Sequence, residues 1–360
     1  MPVEPGRWFD EHELEASRRY HEPVRRVAAW CVGVQLVGLA FVIAVATWVP
    51  TLGRLEVIGL TLAVISLPRI AADGWQEFVH ERRFAAPPVL ATTFAAATSA
   101  RIVLVACGLV SADLILAGID RSGSEVGLVA LAAGCVPVVA VVLGPRGVLA
   151  MHRAEDMSVA DPNARRVTEL AATFDMPVPR LVRLDASSFG GANAFATGTG
   201  STVTLAVSDE LLTGPVQLFD HVVSHELAHI SRRHLLWSVV AACLAAGSVV
   251  GISTLITVSS FSDRVQLAAF VLIVAVSSVP FEWLLSWRSR VNERQADHDA
   301  SARAGVDPVM LKQLHVSDRV LLEPTLLARL SSAHPSPAER LEFAARSRRR
   351  SVRPTEGSGP

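Results

Sequence analysis

Five consecutive residues carry the chemistry most legible in this sequence: His225-Glu226-Leu227-Ala228-His229. On a helix, residues four apart share a face, so both imidazoles can reach one metal ion. Two neutral imidazoles suit Zn²⁺. Glu226 sits beside them and can take a proton from a water held there. A catalytic zinc uses a third protein ligand and keeps one position open. The candidate for that ligand is Glu293, within Glu293-Arg294-Gln295-Ala296-Asp297. Asp297, one turn on, shares its face and is placed to accept the free N–H of a ligand histidine. His221 also shares the ligand face. It reads as a surface or supporting histidine, because three protein ligands already suffice. His234, five residues past His229 and partly off that face, reads as a supporting residue.

These residues need elements to carry them, and composition says what kind. Of 360 residues, 51% are apolar and 19% charged, against about 25% charged in an ordinary soluble protein. Global disorder and a plain soluble globule are both excluded. The net charge of −1 offers no field for nucleic acid. Cys31, Cys107, Cys135 and Cys243 each lie in an apolar run with no C-x-x-C pair, so no disulfide framework or thiolate zinc site is expected. No secretory signal peptide is expected either.

Six apolar stretches approach the length of about 20 residues that spans a bilayer. They are Val27–Val49, Leu55–Ala72, Ile102–Ile119, Val126–Leu143, Leu235–Val258 and Val265–Trp287. Pro68 and Arg69 interrupt the second, which a kinked or re-entrant helix would accommodate. The loops after the first, third and fifth spans carry one arginine each, Arg54, Arg121 and Arg264; the other side carries the rest. The positive-inside rule therefore puts both termini and residues 144–234 in the cytoplasm. The zinc helix runs into the fifth span, the sixth returns, and Glu293 emerges just after it. Both segments thus end at one membrane face.

Residues 144–234 read as a folded α+β unit. Asp161-Pro162 starts a helix with Val167, Leu170, Ala171 and Phe174 on one face, which Pro177 and Pro179 stop. Leu181–Leu184 and Thr202–Val207 are expected strands, separated by the Gly/Ser-rich loop Ser187–Asn193. Thr213-Gly214-Pro215 opens the zinc helix. The expected organisation is a cytoplasmic segment over 1–26, a four-span region over 27–143, and the first catalytic part over 144–234. A transmembrane hairpin over 235–287, a second catalytic part over 288–345 and a disordered Arg-rich tail over 346–360 complete it.

The chain resembles the HtpX and CAAX prenyl endopeptidase (type I) membrane zinc metallopeptidases, metallopeptidase family 48. Four elements carry the resemblance in the family's order. They are Asn193-Ala194-Phe195 before a strand, His225–His229 followed by His234, Arg290-x-x-Glu293-x-x-Ala296-Asp297, and His334-Pro335-Ser336 with Arg340. Glu81-Arg82-Arg83-Phe84 is similar to a charged motif of the prenyl-protease branch. His221 departs from the family, which usually has a small residue there. The resemblance covers residues 160–345 and implies a mainly α polytopic membrane protein with a small α+β zincin-type (gluzincin) domain. It implies one zinc ion held by His225, His229 and Glu293, with Glu226 as base, and His334 and Arg340 approaching the substrate or intermediate. Asn193, Ala194 and Phe195 would line the cleft as a strand edge that an extended substrate joins.

The function expected is zinc endopeptidase action on membrane or membrane-associated proteins at the cytoplasmic face of the plasma membrane, in protein quality control or processing. The partners expected are peptide or protein substrates and the lipid bilayer, and no nucleic acid. The arginine bias (Lys312 is the only lysine) points to a bacterial source. The rival is a membrane metallopeptidase of the antibiotic-sensor type, which acts in signal transduction and also carries a membrane-flanked H-E-x-x-H. It signals through an extracytoplasmic sensor domain, for which the segments here offer no room.

Overall fold

In the computed structural model the described residues are 4–49, 51–84, 91–119, 125–151, 154–184, 192–198, 200–263, 265–304 and 307–352. Two compact units divide the chain. One gathers Met1–Arg18, Val136–Cys243 and Glu282–Pro360; the other gathers Arg19–Cys135 and Leu244–Phe281.

Apolar helices build the second unit. They are α1 (Glu11–Trp48), α2 (Arg54–Trp75), α3 (Ala91–Gly118), the start of α4 (Val126–Met151), and the inner parts of α8 (His234–Ser260) and α9 (Gln266–Arg303). Among the described residues, five stretches are long and apolar enough to cross a membrane: Glu11–Trp48, Arg54–Arg83, Ala97–Gly118, His234–Ser260 and Gln266–Arg303. The sixth expected span is helical too, but its described apolar part, Val126–Val139, is shorter.

The interruption expected at Pro68 is absent. Pro68 lies inside α2, and Gln35 of α1 donates Nε2 to the Ile65 carbonyl at 2.7 Å. The carbonyl that Pro68 leaves without a helical donor is that of Val64, one residue before this bond, so Gln35 supports the adjoining turn. The irregularity falls later, at the π-helical turn Gln76–His80. Small residues allow close packing here: a Cβ on Gly247 would come within 2.9 Å of the Ala130 carbonyl oxygen.

In the first unit, α5 (Pro162–Ala172) begins as expected, with Asp161 accepting from the Asn163 N–H and Pro162 in the first turn. The sheet has the order β1-β2-β4-β3. β1 is Glu155–Asp156, β2 Arg180–Leu184, β3 Ala194–Thr197 and β4 Thr204–Ser208. β4 is buried throughout, parallel to β2 and antiparallel to β3. β3 is therefore an edge. Short α6 (Asp209–Thr213) leads to α7 (Val216–Ser231), with Pro215 capping α7 where the sequence suggested its first turn. Leu218, Phe219, Val223, Leu227 and Ala228 of α7 bury against Val167, Leu170, Leu205 and Val207, which fixes the zinc helix to helix α5 and the sheet.

Three further helices follow: α10 (Pro308–Ser317), α11 (Leu326–Ser331) and α12 (Pro337–Val352). α12 runs into the expected disordered tail. The amino-terminal segment joins this unit rather than standing apart. Phe9 and Leu14 bury against Leu311, Leu322, Leu341 and Ala344, and Glu13 pairs with Lys312 at 2.8 Å. Most of the expected loop Ser187–Asn193, with Arg121, Arg153 and Arg264, lies outside the described residues.

Candidate metal centre and cleft

Because α7 is helical through the motif, His225 and His229 stack one turn apart with their Nε2 atoms 3.1 Å from each other. Glu293 of α9 completes a triangle, with Oε1 3.2 Å from His229 Nε2 and Oε2 3.5 Å from His225 Nε2. Among the described residues these three form the group able to hold a metal. Bonds of about 2.0–2.1 Å in a tetrahedral site put donor atoms about 3.3 Å apart. The triangle has that size, and its donors are two imidazoles and a carboxylate, so the residues fit zinc.

Other side chains steady the triangle. Asp297 Oδ1 lies 3.0 Å from His225 Nδ1, at an angle short of a well-formed hydrogen bond. Arg340, partly buried on α12, donates to both oxygens of Asp297, Nη2 at 2.7 Å and Nε at 3.1 Å. His234 places Nδ1 3.1 Å from His229 Nδ1 and Nε2 3.1 Å from the Gln295 amide oxygen. It gets there because Arg233 takes a left-handed φ of 55°, which turns the chain between α7 and α8. His334 Nδ1 lies 2.8 Å from Glu293 Oε2. Burial pushes the Glu293 carboxyl up, but hydrogen bonds from His225, His229 and His334 hold it far below the usual carboxylate range. For Asp297, burial is likewise outweighed, here mainly by the Arg340 charge.

The centre opens into a cleft of about 1570 Å³. Asn193 to Thr197 line it, as do the apolar side chains of Leu311, Leu314, Leu326 and Leu330. Glu226 reaches β3: its Oε2 accepts from the Ala196 N–H at 2.9 Å. Asn193 turns its amide oxygen onto the Ala194 N–H at 2.8 Å.

Comparison with known proteins now has a site to attach to. Residues 162–348 match Peptidase family M48. The chain belongs to that family. Curated relatives are called protease HtpX homologs. That of Syntrophobacter fumaroxidans is 40% identical over 27% of this chain and 35% of its own length. That of Arthrobacter sp. is 30% identical over 40% and 50%, and that of Methanopyrus kandleri 29% over 47% and 55%. The chain thus spans a third to about half of these relatives. The crystal structure of S. mikatae Ste24p is similar in fold, with a TM-score of 0.70 at 15% identity over 93% of this chain and 89% of that one.

Asn193, Ala194, Phe195, His225, Glu226, His229, His234, Glu293, His334 and Arg340 line this cleft, and Asp297 touches His225 and Arg340; two residues depart from expectation. Arg340, expected to approach substrate, lines the cleft but spends its fork on Asp297. His221, expected as a surface or supporting residue, is 2% exposed, and neither ring nitrogen has a partner. His315 of α10, not singled out by sequence, is a second buried imidazole with an unpartnered Nε2. Burial pulls both rings down to about 3. Nothing in the residues around Leu314-His315-Val316 marks it beforehand. Ser336 and Glu339 had a readable signal, the S-x-x-E spacing: the Ser336 N–H donates to Glu339 Oε2 at 2.9 Å, and the Glu339 N–H donates to Ser336 Oγ at 3.3 Å. That capping box starts α12 and so aims Arg340.

Proposed function

We propose that this M48 chain is a membrane-embedded zinc endopeptidase, cutting membrane or membrane-associated proteins at the cytoplasmic face in quality control or processing. The observation that carries the reading is the tetrahedral-edge triangle of His225, His229 and Glu293 at the wall of a large cleft, with Glu226 beside it. When bound, zinc would supply Lewis-acid activation of a water and of the scissile carbonyl.

The chain's own residues account for the rest. Glu226 takes a proton at its carboxylate and returns it to the leaving amine. Its contact with the Ala196 N–H fixes that carboxylate against β3. An extended substrate segment adds alongside the same edge, displacing the Asn193 amide oxygen from the Ala194 N–H. His334, whose side chain is 65% exposed, keeps Nδ1 on Glu293 and, as an imidazolium, offers its second ring N–H to charge developing on the substrate oxygen. Arg340 holds Asp297, and Asp297 orients His225. The sided arginine distribution supports the cytoplasmic assignment.

The test is metal analysis with product mapping on a panel of unfolded membrane proteins. Wild type should carry one zinc per chain and cut internal peptide bonds. Glu226→Gln should keep the zinc and lose cleavage by at least about 100-fold. Full activity in that variant sinks the mechanism, and a wild type without retained zinc sinks the metal assignment.

A further inference from the structure

The loop that delivers His334 is gripped by one helix, within the same two turns that carry Glu293. α11 ends at Ser331, and its last carbonyls have no partners within the helix. Arg290 of α9 takes them: its Nη1 lies 2.8 Å from the Arg329 carbonyl oxygen, 3.2 Å from that of Leu330 and 2.6 Å from that of Ser332. Ser286, one turn earlier on α9, donates to the Ser331 carbonyl at 3.0 Å. Four consecutive carbonyls are thus gripped by two side chains. Among the described residues no carboxylate lies within ion-pair distance of Arg290, so its charge is directed at the negative end of a helix. The grip is passed on. Ser332 Oγ accepts from the His334 N–H at 3.2 Å and donates to the His334 carbonyl at 2.9 Å. His334 then meets Glu293, three residues beyond Arg290.

We propose that Arg290, assisted by Ser286, is the positioning residue for His334, locking the α11–α12 loop so that its imidazole is held over the metal-binding triangle. The assignment rests on the peptidase reading for its kinetic consequence, though not for its structural one. An exposed side chain on a free loop would sample many rotamers. Here the backbone beneath it is fixed to the helix bearing the third donor, so the two groups move together.

The test uses the full-length protein with Arg290→Gln, Arg290→Lys, His334→Ala and the double variant Arg290→Gln/His334→Ala. On a peptide substrate, Arg290→Gln should lower kcat by about 10–100-fold with KM nearly unchanged, the scale expected for a misplaced group. Arg290→Lys, keeping the charge without the fork, should recover part of it. In the double variant, Arg290→Gln should add nothing to the loss from His334→Ala. Hydrogen exchange of the metal-free protein gives a reading independent of turnover: peptides within 326–336 should exchange faster in Arg290→Gln, and those within 216–231 should not. Multiplying rate losses in the double variant, or unchanged exchange over 326–336, overturns the proposal. A wild type that cleaves nothing while 326–336 still responds to Arg290→Gln defeats the peptidase reading and leaves the clamp standing. If Arg290→Gln loosens the whole protein, Arg290→Lys decides by the same exchange pattern.

Discussion

At the scale of single residues, the triangle depends on groups that never reach it. Asp297 is the hinge of that dependence, since it touches His225 on one side and Arg340 on the other. Asp297→Asn removes the charge that favours the correct His225 tautomer and leaves the Arg340 guanidinium opposite a neutral amide. Zinc affinity should fall by about 10–100-fold, read by competition with a chelator of known strength. Unchanged affinity would reduce Asp297 to a structural partner of Arg340. The convergence of His225, Glu226 and His229 was legible because helical spacing alone brings them together. Glu293 was legible because the fifth and sixth spans return the chain to its starting face. The Arg340–Asp297 pair was not, since no local rule links residues on two separate helices, and His315 gave no signal for the same reason.

At the scale of elements, the capping residues told most. Asp161-Pro162 foretold α5, and β2 lies within a residue of its expected start, because both signals are local. β4 begins two residues later than expected, after the short 3₁₀ turn Gly200–Thr202. Pro68 misled because a proline's effect depends on its neighbours, and Gln35 lies on another helix. The Ser336–Glu339 box is an element-scale device with a measurable share: Ser336→Ala should cost about 1 kcal/mol. It should lower the thermal midpoint modestly and speed exchange in the first turn of α12. Exchange as slow as in wild type would show that packing of Ala338 and Leu341, rather than the cap, fixes that helix.

At the scale of the whole molecule, burying the imidazoles of His221 and His315 sets a pH dependence. His221 and His315 titrate near 3 when folded, against about 6.5 in an unfolded chain. Between those values the unfolded chain binds protons that the folded chain refuses, so stability falls as pH drops from about 6.5 toward 3 and is insensitive to this pair above. Unfolding midpoints in detergent at pH 7.5 and 5 should show the loss, and His315→Phe should shrink it. Identical acid-side losses in both proteins would clear the pair of responsibility. The unit holding the site is also discontinuous, drawing on Met1–Arg18, Val136–Cys243 and Glu282–Pro360. During synthesis, a ribosome that has finished α7 has made His225, His229 and Glu226, but not Glu293, His334 or Arg340. The amino-terminal segment waits longer still, because its partners Leu341 and Ala344 follow Arg340 in the chain. A nascent chain therefore carries the neighbouring carboxylate and two donors without a complete centre, and the order of translation itself delays the closing of the triangle until α9 has been made.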